Sequence, residues 1–294
     1  GPSGLTIGAF DGVHRGHQRM LNDVIKDCRK NGRQVVVMTF KPHPKQILNP
    51  QEDFLINTYR ERRELLADLD IDYLVELEFT RDFSTLGPRE FLDRHVYTSD
   101  LEKLYLGYDF AFGANKQGDS QFVQKYAEEK GIEFAVLNEY EVEGEKTSSS
   151  HIRELIKDGD VDEVRGLLGR PFLIKGRVVK GEGRGKMIGF PTANLDYDYY
   201  RIIPKVGVYV SRTYYKDQTY HSVTNVGFNP TFQGQRNLHV ETYILDFDSD
   251  IYGEELTVEF MTHLRSETKF SSVNELVEQI RKDVERTRKY FENV

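Results

Sequence analysis

The sequence predicts a two-part α/β protein: a domain built on a parallel sheet, then a small antiparallel β-barrel with a terminal helix. A chain of 294 residues is longer than one typical core supports. From residue 5 to about residue 158, short apolar runs of strand length alternate with amphipathic segments. After Gly169-Arg170-Pro171 that rhythm stops, and strand-like runs succeed one another without a convincing helix as far as His263. The domains are therefore expected over 1–169 and 170–294.

In the first domain strands are expected at Leu5–Phe10, Val35–Phe40, Tyr73–Phe79, Lys103–Phe110 and Glu133–Tyr140, all rich in β-branched or aromatic residues. Between them His17–Lys30 sets Met20, Leu21, Val24, Ile25 and Cys28 on one face, with Gly32 beyond as a stop signal. Thr58–Leu69, Pro88–Tyr97 and Ser120–Lys130 are the other predicted helices. Such alternation implies right-handed crossovers and an open, largely parallel sheet covered on both faces. Two helical pieces, Ser150–Lys157 and Val161–Leu168, precede the break. The second domain then reads as strands Phe172–Val179, Gly207–Tyr214, Tyr220–Val226, His239–Asp246 and Leu256–Leu264. Turn signals such as Asn229-Pro230 and Asp248-Ser249-Asp250 favour a small barrel. Ser272–Phe291 closes the chain as a helix, with Val273, Leu276, Val277, Ile280, Val284 and Phe291 as its core-facing stripe.

Forty-eight acidic against forty basic residues leave a net charge of −8, which counts against a general nucleic-acid or anionic-membrane binder. No apolar run approaches membrane-spanning length. Cys28 has no cysteine to pair with and falls on the apolar stripe of its helix, as a buried thiol of a cytoplasmic protein would. Gly1-Pro2-Ser3 lacks an initiator methionine and resembles a tag-cleavage scar, so the natural chain is expected to begin earlier.

The stretch "IGAFDGVHRGH", Ile7 to His17, puts two histidines three positions apart where a strand gives way to a helix. A turn between a parallel strand and a helix lies at the carboxyl end of the sheet, where open α/β folds bind ligands. Gly8 and Gly12 let a ligand approach the backbone, and the helix start favours an anion, most simply a phosphate. His14 and His17 would add two movable donors. Zinc is the competing reading, yet no third ligand stands at a familiar spacing; incidental surface histidines are the other. Neither G-x-G-x-x-G nor G-x-x-x-x-G-K-[ST] occurs, so a Rossmann dehydrogenase and a P-loop enzyme are unsupported.

"GAFDGVHRGH" resembles the signature of the nucleotidyltransferase superfamily, and "SSSHIR", Ser148 to Arg153, resembles its second signature. "FKPHP" (Phe40 to Pro44), "LEFTRDFSTLGPREF" (Leu77 to Phe91) and "LGYDFAFG" (Leu106 to Gly113) resemble the FAD synthetase branch in the same order. With the second half of the sequence included, nearly the whole chain is similar to the bacterial bifunctional riboflavin kinase/FMN adenylyltransferases. The resemblance implies a Rossmann-like nucleotidyltransferase domain that binds ATP at the histidine turn, where the phosphate of FMN attacks the α-phosphorus to give FAD and pyrophosphate. It carries catalytic roles onto His14, His17 and Arg153, and ATP contacts onto Gly8, Phe10, Asp11, Gly12, Asp109, Gly113, Ser148, Ser149 and Ser150. Pro42 and His43 would meet the flavin. Ser150 stands where threonine is usual, Lys41 where an aspartate or asparagine is commoner, and Ala111 where arginine often occurs.

The segment "GRVVKGEGRGKMIGFPTANL", Gly176 to Leu195, reads from composition as a flexible polar hairpin or as a nucleotide-wrapping loop. Thr192 and Asn194 lie two apart, hence on one face if extended, and offer hard oxygen ligands for Mg²⁺ bound with ATP. The segment resembles the riboflavin kinase glycine loop and its P-T-A-N motif, which implies ATP contacts at Gly181, Gly183, Arg184, Lys186, Gly189 and Pro191. "NVGFNPTF", "HVETYILDFDSDIYGEEL" and "LRSETKF" look like later stretches of the same module. They carry the catalytic carboxylate onto Glu241, which would take the proton of riboflavin's terminal ribityl hydroxyl, and a flavin flap onto Arg265. Without the resemblance, Glu241 reads as a solvated strand carboxylate. A transferase for another phosphorylated small molecule would leave the P-T-A-N module idle. A flavin sensor built on a decayed enzyme would have lost some of His14, His17, Thr192, Asn194 and Glu241, and all are present. Oligomeric state is not legible.

Overall fold

A computed structural model describes the chain except residues 51–52, 109, 139, 143–144, 182, 229–237 and 294. It divides into two compact units, Gly1–Ser149 and Ser150–Val294.

In the first unit β1 (Ser3–Ile7), α1 (Arg15–Lys30) and β2 (Gln34–Lys41) are followed by α2 (Pro44–Leu48), α3 (Tyr59–Ala67) and β3 (Tyr73–Glu78). Next come α4 (Arg81–Ser84) and α5 (Pro88–Phe91), which runs into a π-helical turn at Leu92–Val96, then β4 (Leu101–Gly107). A 3₁₀ turn at Ala114–Lys116, α6 (Ser120–Lys130), β5 (Glu133–Leu137) and a small antiparallel hairpin, β6 (Glu141–Val142) with β7 (Glu145–Lys146), complete it. The main sheet is parallel throughout, in the order β3-β2-β1-β4-β5. The order turns back at β1, so the loop after β1 opens into the crevice at the carboxyl ends of the strands.

The expected strands overrun the observed ones at this end: β1 stops at Ile7, β4 at Gly107 and β5 at Leu137. At β1 burial without pairing explains the excess, whereas Tyr108 beyond β4 is 50% exposed. Phe10 is 2% exposed yet sits in a loop with φ of 49°, so its apolar character reports the core and not the sheet.

At the opposite end of the sheet, Asp27 of α1 accepts hydrogen bonds from Tyr105 Oη at 2.5 Å and Lys103 Nζ at 2.9 Å. These donors, Tyr105 first, hold the Asp27 carboxyl below the usual carboxylate range. Cys28 packs beside them, and burial pushes its thiol pKa up.

The second unit begins with α7 (Ser149–Asp158), whose first residue belongs to the first unit, and α8 (Val161–Leu168). The compact division thus falls twenty residues before the expected boundary at 169/170. The reason is packing: α8 buries Val161, Val164, Leu167 and Leu168 and lies against the barrel strands β8 (Phe172–Val179) and β13 (Glu255–Arg265). Between these strands come α9 (Arg184–Met187), β9 (Ala193–Tyr197), β10 (Gly207–Tyr215), β11 (Gln218–Phe228) and β12 (Leu238–Ile244). The barrel closes in the antiparallel order β10-β11-β12-β9-β8-β13. Strand β9 and the single turn α9 were not expected; α9 lies inside the segment read as a glycine loop and β9 starts within it. The turn signal Asn229-Pro230 lies outside the described residues.

Part of the barrel interior is polar. Thr213, Ser222, Ser211, Thr224 and Thr242 are fully buried, and their hydroxyls form one hydrogen-bonded chain at 2.6–2.9 Å. Each hydroxyl has a partner, so the burial carries no orphaned donor. Helix α10 (Val273–Glu292) lies against β10 and β11, where Val284 meets Val208, Val223 and Leu245. Its expected apolar stripe is only partly covered, and Val273 is 61% exposed. The fully enclosed residues are instead Asp283 and Thr287. Asp283 accepts from Arg265 Nε at 3.0 Å and Nη2 at 2.8 Å, and from Gln279 Nε2 at 2.9 Å.

Two outcomes are expected. Asp283→Ala strands the Arg265 guanidinium and should cost about 3 kcal/mol, read as a lower urea midpoint for the barrel transition; an unchanged midpoint would show that the pair is not what holds α10. Asp27 favours its ionised form when folded, so its contribution is present at neutral pH and fades as pH falls through the depressed folded value. The stability gap between wild type and Asp27→Asn should therefore close below about pH 4, as followed by thermal melts across pH.

Candidate active sites

Burial freezes the loop between β1 and α1. Phe10 and Val13 are 2% and 1% exposed, both at positive φ, and Gly12 has φ of 86°. Neighbours hold the backbone from three sides. Asn57 Oδ1 accepts from the Gly12 N–H at 2.5 Å, the Asp11 carboxylate accepts from the Ile56 N–H at 3.1 Å, and Ser149 Oγ donates to the Asp11 carbonyl at 2.9 Å. Arg62, 2% exposed, donates to the carbonyls of Ala9 and Phe40 and to Glu76, each at 2.9 Å. Asp11 is thus spent on the loop itself. Arg62 and Asn57 were missed because an arginine on a charged helix and an asparagine before it look like ordinary surface.

His14 caps α1, its Nδ1 accepting from the His17 N–H at 3.2 Å. With Nδ1 an acceptor, the neutral ring carries its proton on Nε2. The His14 and His17 rings stack 3.6 Å apart, and Phe10 meets His17 edge-on at 5.4 Å. A positive charge on one stacked ring therefore disfavours a second on the other. The sixteen-residue helix behind them has no acidic residue in its first turn, a setting that favours an anion. Gly16 completes it: a Cβ there would lie 3.1 Å from His14 Nδ1 and 3.5 Å from the Thr147 carbonyl.

Ser148, Ser149 and Ser150 stand at the start of α7, and Arg153, 9% exposed, one turn along it in the second unit. Pro42 follows Lys41 through a cis peptide, and His43 caps α2, its Nδ1 accepting from the Lys45 N–H at 3.1 Å. Buried at 7%, His43 positions α2 more than it faces a ligand. Beside α2 opens a cavity of about 260 Å³ walled by Phe40, Phe79, Phe83, Phe91, Phe110 and Phe112, with Lys45 and Lys116 as its only charged groups among the described residues. Ala111 and Gly113 also line it, which sets Gly113 in this aromatic chamber. Asp109 lies outside the described residues.

In the barrel, Thr192 and Asn194 are part-exposed while Ala193 and Leu195 are buried, so the two oxygen-bearing side chains share the outer face. Register extends that face. Asn194 pairs with Glu241, Glu241 with Asn225, Asn225 with Val208, and Val208 with Arg265, one row across five strands. Glu241 therefore stands between two amides. The glycine loop covers the row's near end, since a Cβ on Gly181 would strike the Asn194 side chain and one on Gly185 the Phe190 carbonyl. Lys186, Pro191, Thr192, Ala193 and Thr242 line a cavity of about 340 Å³ together with residues 248–252. Gly183, with Arg184 after it, opens the α9 turn, and Gly189 follows that turn. At the far end Arg265 is clamped by Asp283 and does not form a free flap. Of "NVGFNPTF", residues 229–232 lie outside the described residues.

Among the described residues no group of three or more His, Cys, Asp or Glu could hold a metal ion, and no helix is long and apolar enough to cross a membrane. Gly16→Ala should push the His14 ring off its cap and shift the His14 and His17 imidazole resonances. Gly87→Ala, which meets nothing within 4 Å, is the control that should leave them in place.

Comparison with known proteins finds a family model for each half of the chain. The FAD synthetase family model matches residues 2–151 and the riboflavin kinase model residues 168–291. The bifunctional riboflavin kinase/FMN adenylyltransferase of Listeria monocytogenes is 34% identical over 98% of this chain and 92% of its own length. That of Escherichia coli K12 is also 34% identical, with the same coverage. A Streptococcus pneumoniae structure, described as a macrolide-efflux protein, superposes with a TM-score of 0.88 at 36% identity, covering 98% of this chain and 94% of that one. The chain belongs to the family of bifunctional riboflavin kinase/FMN adenylyltransferases.

Proposed function

We propose that the chain makes FAD from riboflavin in two ATP-dependent steps: phosphorylation to FMN in residues 170–294 and adenylylation of FMN in residues 1–169. The observation that carries the kinase assignment is the row itself, with Glu241 held between Asn194 and Asn225. Glu241 takes the proton of the terminal ribityl hydroxyl as its oxygen bonds to the γ-phosphorus and ADP leaves. A carboxylate is a weak base toward an alcohol, so it mainly orients the hydroxyl and accepts the proton late. Thr192 and Asn194 would hold Mg²⁺: both are hard oxygen donors, and both lie beneath the glycine loop. The ion, when bound, supplies positive charge to the ATP phosphates. Gly181, Gly183, Arg184, Lys186, Gly189 and Pro191 would surround those phosphates.

In the second step the FMN phosphate attacks the α-phosphorus of ATP in line and expels pyrophosphate. His14 and His17 meet the growing charge with the helix N-terminus behind them. Gly8, Phe10, Asp11 and Gly12 shape that turn. Ser148–Ser150 and Arg153 would grip the phosphates, an assignment that rests on their motif alone. The Phe-walled cavity suits the flat isoalloxazine ring, with Pro42 and His43 setting its edge through α2. A cytoplasmic location fits this use of ATP.

The test is chromatographic separation of flavins after incubation with riboflavin, ATP and Mg²⁺. Glu241→Ala should cut FMN formation at least a hundredfold while FAD still forms from supplied FMN; His17→Ala should do the reverse. Loss of both steps in either folded variant would defeat the two-site assignment.

A further inference from the structure

Glu241 has a neighbour that the two-step scheme leaves idle. His239 lies two residues before it on β12, so both side chains project from the same outer face of the barrel. Its Nε2 stands 3.9 Å from Glu241 Oε1. The other ring nitrogen, Nδ1, is buried and has no hydrogen-bond partner among the described residues. Among the described residues the ring is therefore not fixed by a structural hydrogen bond, and its closest acidic partner there is the carboxylate proposed to receive the substrate proton. A second acid lies near the ring's Cε1. Gly227 pairs with His239 across β11, and a Cβ on Gly227 would strike Glu267 Oε1 and lie 3.0 Å from His239 Cε1 and 3.1 Å from Asn225 Nδ2. Glu267, His239 and Asn225 thus meet over a residue with no side chain. An imidazole in this place has two carboxylates and an amide near it.

We propose that His239 is the proton acceptor behind Glu241 in riboflavin phosphorylation, a positioning residue that also clears the carboxylate for the next turnover. The inference rests on Glu241 as the group that receives the hydroxyl proton. The terminal ribityl O–H bond breaks, its oxygen bonds to the γ-phosphorus, and ADP leaves with the electron pair of the broken P–O bond. The proton goes to Glu241 Oε1 and from there to His239 Nε2. The resulting imidazolium is stabilised by the regenerated Glu241 carboxylate and by Glu267, and it releases the proton to water through the exposed quarter of its side chain. The separation is that of an ion pair, and an approach of about 1 Å by either side chain makes it a hydrogen bond. An imidazole suits the task better than a second carboxylate because its ordinary basicity lies nearer neutral pH. Gly227 is part of the arrangement, since any side chain there would displace the ring or Glu267.

The experiment follows FMN formation by the full chain with ATP and Mg²⁺. His239→Ala should lower kcat about tenfold or more, leave KM for ATP and riboflavin within twofold of wild type, and leave FAD formation from supplied FMN unchanged. Added free imidazole should restore several-fold of the lost kcat in His239→Ala and do nothing to His239→Gln, which keeps bulk and polarity without a titrating nitrogen. An unchanged kcat, a rise in KM alone, or an absence of imidazole rescue would each overturn the proposal. Glu241→Gln is run beside them. Wild-type FMN formation by that variant would remove the underlying reading, whereas a dead Glu241→Gln with a fully active His239→Ala would remove only the relay.

Discussion

Strand register is the constraint on which the barrel's chemistry depends. Asn194 and Glu241 are forty-seven residues apart in the chain and share no motif, yet antiparallel pairing sets them face to face. A slip of one residue in β12 would turn Glu241 inward and Thr242 outward. Two features resist that slip. Val240, Thr242 and Ile244 fill the inner face, and the Thr242 hydroxyl accepts from that of Thr224, its pairing partner on β11, at 2.9 Å. The buried hydroxyl chain therefore bears on catalysis without touching a substrate: it makes the wrong register costly by leaving polar groups unsatisfied.

The first unit solves a comparable problem with a loop. A phosphate site needs N–H groups and cations aimed at one point, and a free loop would lose much of its affinity in ordering itself. Here Phe10 and Val13 anchor the turn in the core, while Asn57, Ser149, Arg62 and Thr39 fix its backbone. The stacked histidines then need no further ordering. Their site stands at the carboxyl end of β1, and the ion pairs of Asp27, Lys103, Arg33 and Glu133 gather on the residues that open β4 and β5, at the other end of the sheet. Charges that serve stability and charges that serve chemistry are thus kept apart.

Helix α10 shows how polar burial can replace apolar burial. Its apolar stripe is half-covered, and the enclosed contact is Asp283 with Arg265 and Gln279. By register Arg265 ends the row that begins at Asn194 and contains Glu241, three strand spacings or about 14 Å beyond the carboxylate. Its guanidinium ties the end of β13 to the helix, so the far wall of the row is built from a salt bridge.

The sequence by itself determined the class of each half and most of its elements. Periodicity is local, and local order is what α6, α8 and β8 needed: Ser120–Lys130, Val161–Leu168 and Phe172–Val179 run as read. It also determined the two motifs, because a cap such as His14 and an alternation such as Thr192-Ala193-Asn194 act within a few residues. Strand β9 escaped notice since a short strand with asparagine and aspartate on its open face looks like loop until partners pair with it. Arg62, Asn57, Asn225, His239 and Asp283 were equally silent. Their meaning lies in neighbours across the sheet, the barrel or a packed helix, and a linear sequence does not carry such distances. Only the tertiary structure decided which charges are buried, which carboxylate stands between two amides, and where the helix packing on α8 draws the line between the units.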